Sequence, residues 1–70
     1  MKEYVTNNVS VLRKEKGVTQ EEFATALGVS RQTIVAIEKG NYVPSLLLGM
    51  KIARFFQRKI EEVFTYIYEK

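Results

Sequence analysis

The segment from Gln20 to Ile37 constrains this chain more than any other. Two short helical stretches are separated only by Gly28-Val29-Ser30, with Ala24 four residues before the glycine and Ile34 and Ile37 one turn apart after it. Two helices that cross steeply need a small residue where they touch, and Ala24 supplies it. The tight turn between them needs a residue that tolerates positive φ, and Gly28 does so without steric cost. Val29, Ile34 and Ile37 then anchor the second helix and leave its outer face free. The pattern predicts a helix-turn-helix over residues 20–39.

The remaining punctuation is sparse: Gly17, Gly40 and the single Pro44. Thr6 to Asn8 supply the cap of a first helix, with Val9 and Leu12 on its inner face. Arg13, Lys14 and Lys16 crowd its last turn, where cations suit the helix dipole. Gly17 is its stop. Thr19-Gln20-Glu21-Glu22 reads as a capping box opening the second helix. Phe23, Ala24 and Leu27 face its core side. Ser30 caps the third helix and Ser45 the fourth, in which Leu48, Ile52, Phe55 and Phe56 recur at helical spacing. Gly49 inside that helix costs roughly 1 kcal/mol against Ala, so close packing against another helix is expected there. A fifth helix is expected from Lys59 to Val63.

Phe64-Thr65-Tyr66-Ile67-Tyr68 is β-branched and aromatic throughout, which predicts a strand over 64–69. Glu3-Tyr4-Val5-Thr6 reads the same way. A lone strand is not stable, so the two are expected to pair, with a dimer as a further place for that pairing to extend. Phe64, Tyr66, Ile67 and Tyr68 are therefore assigned to the sheet and a dimer contact.

Seventy residues make one domain, 1–70, of marginal stability. With neither Cys nor His, disulfides and the usual zinc sites are excluded and oligomerisation is the obvious support. The same absence, with no Gly-rich phosphate loop and no carboxylate pair in a plausible pocket, argues against an enzyme and against a cofactor. The start lacks the apolar core of a secretion signal, and no apolar run is long enough to span a bilayer. A cytoplasmic protein with no membrane partner is expected. The net charge of +3 permits an anionic partner without requiring one.

The free face of the third helix begins with Arg31, Gln32 and Thr33. In a helix-turn-helix, residues at this end reach base edges in the major groove of double-stranded DNA. Arg pairs bidentately with guanine, Gln with adenine, and a Thr methyl meets thymine. Phosphate contacts are assigned to Gln20, at the amino end of the second helix, and to the flanking Ser30, Lys39, Asn41 and Tyr42. Glu21 is expected to point away from DNA. Arg54, Arg58 and Lys59 are read as solvated surface rather than as part of this set.

The run Val18-Thr-Gln-Glu-Glu-Phe-Ala-x-x-Leu-Gly-Val-Ser-Arg-Gln-Thr-Ile-x-x-Ile-Glu-x-Gly40 resembles the Cro/C1-type (XRE) helix-turn-helix regulators. Its continuation through Asn41-Tyr42-x-Pro44-Ser45-Leu46-x-Leu48 to Ile60-Glu61-Glu62-x-Phe64 is similar to a subgroup of very small members, that of the enterococcal cytolysin repressor. The resemblance implies a mainly α fold: a five-helix, lambda-repressor-like bundle extended by a small antiparallel sheet from the two chain ends. It also implies a homodimer on a palindromic operator, and a largely buried ion pair between Arg13 and Glu38. The sequence departs from the family at Ala36, where a longer polar residue is frequent, and in its longer head, Met1 to Thr6.

The function these features imply is sequence-specific DNA binding by a transcriptional regulator acting as a repressor. The chain has no room for a ligand domain, so no small-molecule effector is expected. The alternative is an antitoxin that also binds its own promoter, since one fold hosts both roles.

Overall fold

The computed structural model describes residues 1–70. The elements run β1 (Lys2–Asn7), α1 (Val9–Lys16), α2 (Gln20–Leu27), α3 (Arg31–Glu38), α4 (Leu46–Phe55), α5 (Ile60–Val63) and β2 (Phe64–Glu69). Five helices and a two-stranded antiparallel sheet are thus the observed architecture. No helix is long and apolar enough to cross a membrane.

Local signals set most of the boundaries. At α2 the Thr19 hydroxyl accepts from the Glu22 amide at 3.0 Å, and the Glu22 carboxylate accepts from the Thr19 amide at 2.8 Å. Two otherwise orphaned amides are satisfied reciprocally. Ser30 and Ser45 accept from the amides of Thr33 and Leu48. Gly28 ends α2 at φ 75°, in the left-handed region, and the chain reverses there into α3. The fifth helix starts at Ile60, with Lys59 as its cap rather than its first residue; the Glu62 carboxylate accepts from the Lys59 amide at 2.8 Å.

One cluster of apolar side chains holds the helices together. Val9, Phe23, Ile34, Ile37, Ile52 and Val63 are fully buried within it, and Ala24 of α2 is buried with them. The ring of Phe23 lies 5.0 Å from that of Phe55 and 5.1 Å from that of Phe56, in tilted contacts that suit aromatic quadrupoles. Lys51 Nζ donates to the Leu27 carbonyl at 2.6 Å, so a cation from α4 closes the carbonyl end of α2.

The strands pair from Lys2 with Glu69 to Asn7 with Phe64. Asn7 joins the sheet to the bundle. Its Oδ1 accepts from the Val9 amide and its Nδ2 donates to the Ile37 carbonyl, each at 3.0 Å. The start of α1 and the end of α3 are fixed by one side chain. Asn8 continues the junction, donating from Nδ2 to the Glu62 carbonyl.

One expectation needs correction. Gly49 is buried, but a methyl group there would meet Ile60 Cδ1 at 3.5 Å and Phe64 Cε2 at 3.8 Å, ordinary van der Waals distances. Close helix packing therefore does not demand glycine. Tyr66 and Tyr68, assigned to the sheet and a dimer contact, lie in β2 with both rings exposed on the ribbon of one chain. Phe64 is the aromatic residue of β2 that packs on the core.

Candidate nucleic-acid interface

The amino end of α3 projects from the bundle. Ile34 and Ile37 are fully buried, whereas Arg31 and Gln32 are exposed. This division follows from the helical period: the two isoleucines lie one turn apart on one side, leaving the first-turn polar residues on the other. Ser30, Arg31, Gln32, Val35, Ala36, Lys39 and Asn41 line one shallow depression along α3. Five residues singled out from the sequence are gathered there. Val35 and Ala36 join them as the apolar floor, in keeping with their position one turn beyond Arg31 and Gln32.

Thr33 is placed differently. Its hydroxyl lies 3.0 Å from Ser30 Oγ and its amide donates to the same oxygen. Both groups are engaged at the helix cap, which leaves the Thr33 methyl as its free part. Tyr42 is exposed on the loop after α3, outside the depression. The main chain ahead of it is pinned, with the Asn41 amide donating to the Ala36 carbonyl at 2.9 Å and Gly40 in the left-handed region.

Behind this surface lies an ion pair. Arg13 Nε donates to Glu38 Oε2 at 2.7 Å and Nη2 to Oε1 at 3.3 Å, with only 11% and 8% of the two side chains exposed. Arg13 Nη1 also donates to the Val18 carbonyl at 2.9 Å. The pair ties α1 to the carboxyl end of α3. Gln20 reaches it from α2, donating from Nε2 to Glu38 Oε1 at 3.1 Å, and its Oε1 accepts from Arg31 Nη2 at 3.3 Å. Sequence reasoning missed this link, because partners 18 and 11 residues apart in different helices leave no periodic trace.

A second shallow recess is lined by Arg13, Thr19, Gln20, Glu21 and Arg31. Glu21 also borders a neighbouring depression with Thr19, Glu22 and Thr25, on the flank of α2. Arg54 and Arg58 lie elsewhere, lining a groove between α4 and α5 with Leu47, Met50 and Ile60.

The comparisons with known proteins agree with this geometry. The helix-turn-helix family profile matches residues 11–63. An uncharacterized HTH-type transcriptional regulator of Methanocaldococcus jannaschii is 57% identical over 60 residues, covering 86% of this chain and 91% of that protein. The cryptic phage CTXphi transcriptional repressor RstR of Vibrio cholerae is 36% identical over 58 residues, covering 83% of this chain and 52% of RstR. Among solved structures, the restriction-modification controller protein C.AhdI of Aeromonas hydrophila superposes with a TM-score of 0.70 at 30% identity, over 77% of this chain and 78% of that one. A profile match across most of the chain, a relative more than half identical and a shared bundle all converge: this chain belongs to the Cro/C1-type (XRE) helix-turn-helix family of transcriptional regulators.

Proposed function

We propose that this protein is a cytoplasmic, sequence-specific repressor that binds a palindromic operator as a homodimer, within the small subgroup typified by the enterococcal cytolysin repressor. One observation carries the reading: the first turn of α3 presents Arg31 and Gln32 to solvent while its other face is locked into the core. A helix so held can enter the major groove as a rigid body, with Arg31 and Gln32 at base edges. The Thr33 methyl is a third, apolar contact. Ser30, Lys39, Asn41 and Tyr42 flank the helix and hold phosphates, as does Gln20 at the amino end of α2. Repression is supported by the likeness to RstR.

A second copy of the chain is supported by what one copy leaves uncovered. Leu46, Leu47 and Met50 on α4 are 73%, 72% and 56% exposed, and Tyr66 and Tyr68 stand open on β2. Of the two surfaces, α4 is the costlier to leave in water, because it has no polar tip. In the dimer the two α3 helices are set about 34 Å apart, one turn of DNA.

Selection of bound duplexes from a random pool at physiological salt tests the proposal. The expected product is a palindromic consensus. Arg31→Ala and Gln32→Ala then each weaken binding by about 1–3 kcal/mol and relax preference at particular base pairs. Equal weakening on every duplex, or no consensus, overturns base reading by α3.

A further inference from the structure

We infer that Lys51 is a positioning residue that couples assembly to DNA reading. Its stem lies in the α4 surface that, on the reading above, a second copy covers. Its ammonium holds the turn from which the reading helix leaves.

The hold is direct. Lys51 Nζ donates to the Leu27 carbonyl at 2.6 Å, a side-chain hydrogen bond that joins α4 to the helix-turn-helix. Leu27 is the last residue of α2, and α2 has no basic residue in its own last turn. The cation that suits this end of the helix dipole thus comes from another helix. The Leu27 carbonyl shares a planar peptide with the Gly28 amide, so a fixed oxygen fixes the start of the turn. Gly28 benefits from that restraint, because at φ 75° it has no Cβ to limit its alternatives. A methyl group there would stand 4.0 Å from the ammonium, which sets the charge against the turn itself. Arg31 then opens α3, with only Val29 and Ser30 intervening.

The other end of Lys51 belongs to a different surface. It follows Met50 and lies one turn beyond Leu47, on the same side of α4. All three line one groove with Arg54, and Leu47 and Met50 are the exposed apolar side chains assigned to assembly. Lys51 is exposed in one chain, so its stem keeps rotamer freedom that the bond to Leu27 must oppose. A second copy packed over Leu47 and Met50 walls in that stem and removes the rotamers leading away from the turn. The ammonium stays at its carbonyl. Assembly thereby stiffens the turn without changing its shape, and α3 is held ready for the groove at less ordering cost on binding. Linkage makes the effect reciprocal: DNA held by α3 favours assembly by the same factor.

Hydrogen exchange at the Gly28 and Val29 amides tests the coupling, because they donate to the Thr25 and Ala24 carbonyls and so close the end of α2. The Ile52 amide, in the core, is the reference for global opening. Wild type, Lys51→Met and Lys51→Arg are compared over protein concentrations that span assembly, with sedimentation on the same samples. Methionine keeps an apolar stem without a donor, and arginine keeps the donor. In wild type, exchange at the two turn amides is expected to slow about fivefold relative to Ile52 as the protein assembles, the low end of usual couplings. The slowing is lost in Lys51→Met, which still assembles, and returns in part in Lys51→Arg. Faster exchange in Lys51→Met by the same factor at every concentration makes Lys51 a fold contact alone and overturns the coupling. A turn that ignores assembly in wild type overturns it too.

A second arm reads the reciprocal effect. Saturating amounts of a duplex carrying half of the selected palindrome give each copy its own DNA, so no shared duplex links the two. The dimer dissociation constant is expected to fall about fivefold further in wild type than in Lys51→Met; repulsion between duplexes is common to both. An equal shift in both proteins overturns the coupling. Where wild type assembles and the turn stays flat, Leu47→Glu with Met50→Glu shows which reading failed. Loss of assembly keeps α4 as the contact and removes only the role of Lys51, whereas persistence moves the contact off α4 and the coupling falls with it.

Discussion

Arg13 and Glu38 meet at 2.7 Å in nearly complete burial, joining the first helix to the end of the third. The pair is costly to desolvate but costlier to break, because removing one partner strands the other charge away from water. Glu38→Gln or Arg13→Met is expected to lower stability by about 3–5 kcal/mol. For a domain of this size that is a large part of the total. Urea unfolding of each variant checks this; a loss under about 1 kcal/mol would mean that the pair behaves as a surface contact.

Gly49→Ala is expected to stabilise the protein. The glycine is mid-helix in α4, where alanine is better by roughly 1 kcal/mol, and the added methyl would touch Ile60 and Phe64 at ordinary distances. Thermal unfolding should rise by about 4–8 °C for a gain of that size. A fall instead would show that α5 and β2 cannot accept the extra volume.

Much of this architecture could be read from the sequence because its signals are local. Thr19 with Glu22, Ser30, Ser45 and the glycines at 17, 28 and 40 each act within a turn of themselves, and they bound the helices accordingly. The exposed start of α3 followed from the spacing of Ile34 and Ile37 alone. Links between distant residues were not legible. Asn7 bonds to Ile37 thirty positions away and Lys51 to Leu27 twenty-four positions away. Both read as ordinary polar residues in a string. The end of α4 was equally hidden, since Gln57 adopts φ 56°, a left-handed conformation for which glycine or asparagine is the usual marker. Leu46 to Met50 is apolar throughout, so its period could not say which side chains the core covers.

That uncovered part of α4 gives a test of assembly. Leu47→Glu with Met50→Glu is expected to halve the mass measured by sedimentation while the circular dichroism spectrum stays unchanged, both side chains being exposed in one chain. A variant that remains dimeric would move the contact to the aromatic ribbon. Deleting residues 64–70 is a poorer test, because Phe64 packs on the core and its loss disturbs the fold as well.

The ribbon carries a pH dependence. Tyr4 donates its hydroxyl to Glu69 and Tyr66 donates to Glu3, each at 2.7 Å. The accepting carboxylates, and to a lesser extent desolvation, raise both phenols above their ordinary value of 10. A raised value means the folded state holds the proton more firmly than the unfolded one. The contribution is therefore complete below pH 10 and is lost as pH climbs through the folded values. Amide exchange in β1 and β2 should accelerate above pH 10 beyond the intrinsic base-catalysed rate, and the excess should vanish in Tyr4→Phe/Tyr66→Phe. An unchanged excess in that double variant would clear the tyrosines of any part in it.

The pairing of β1 with β2 also sets an order of events during synthesis. β1 is translated before the five helices and its mate after them. At about 5–20 residues per second, the first strand waits some seconds on the ribosome with both edges bare. Asn7 can grip Ile37 before the sheet exists, since that carbonyl emerges much earlier than Phe64 does. The anchor that Asn7 provides is thus independent of the sheet, and the pairing of the two strands closes a loop that holds all five helices.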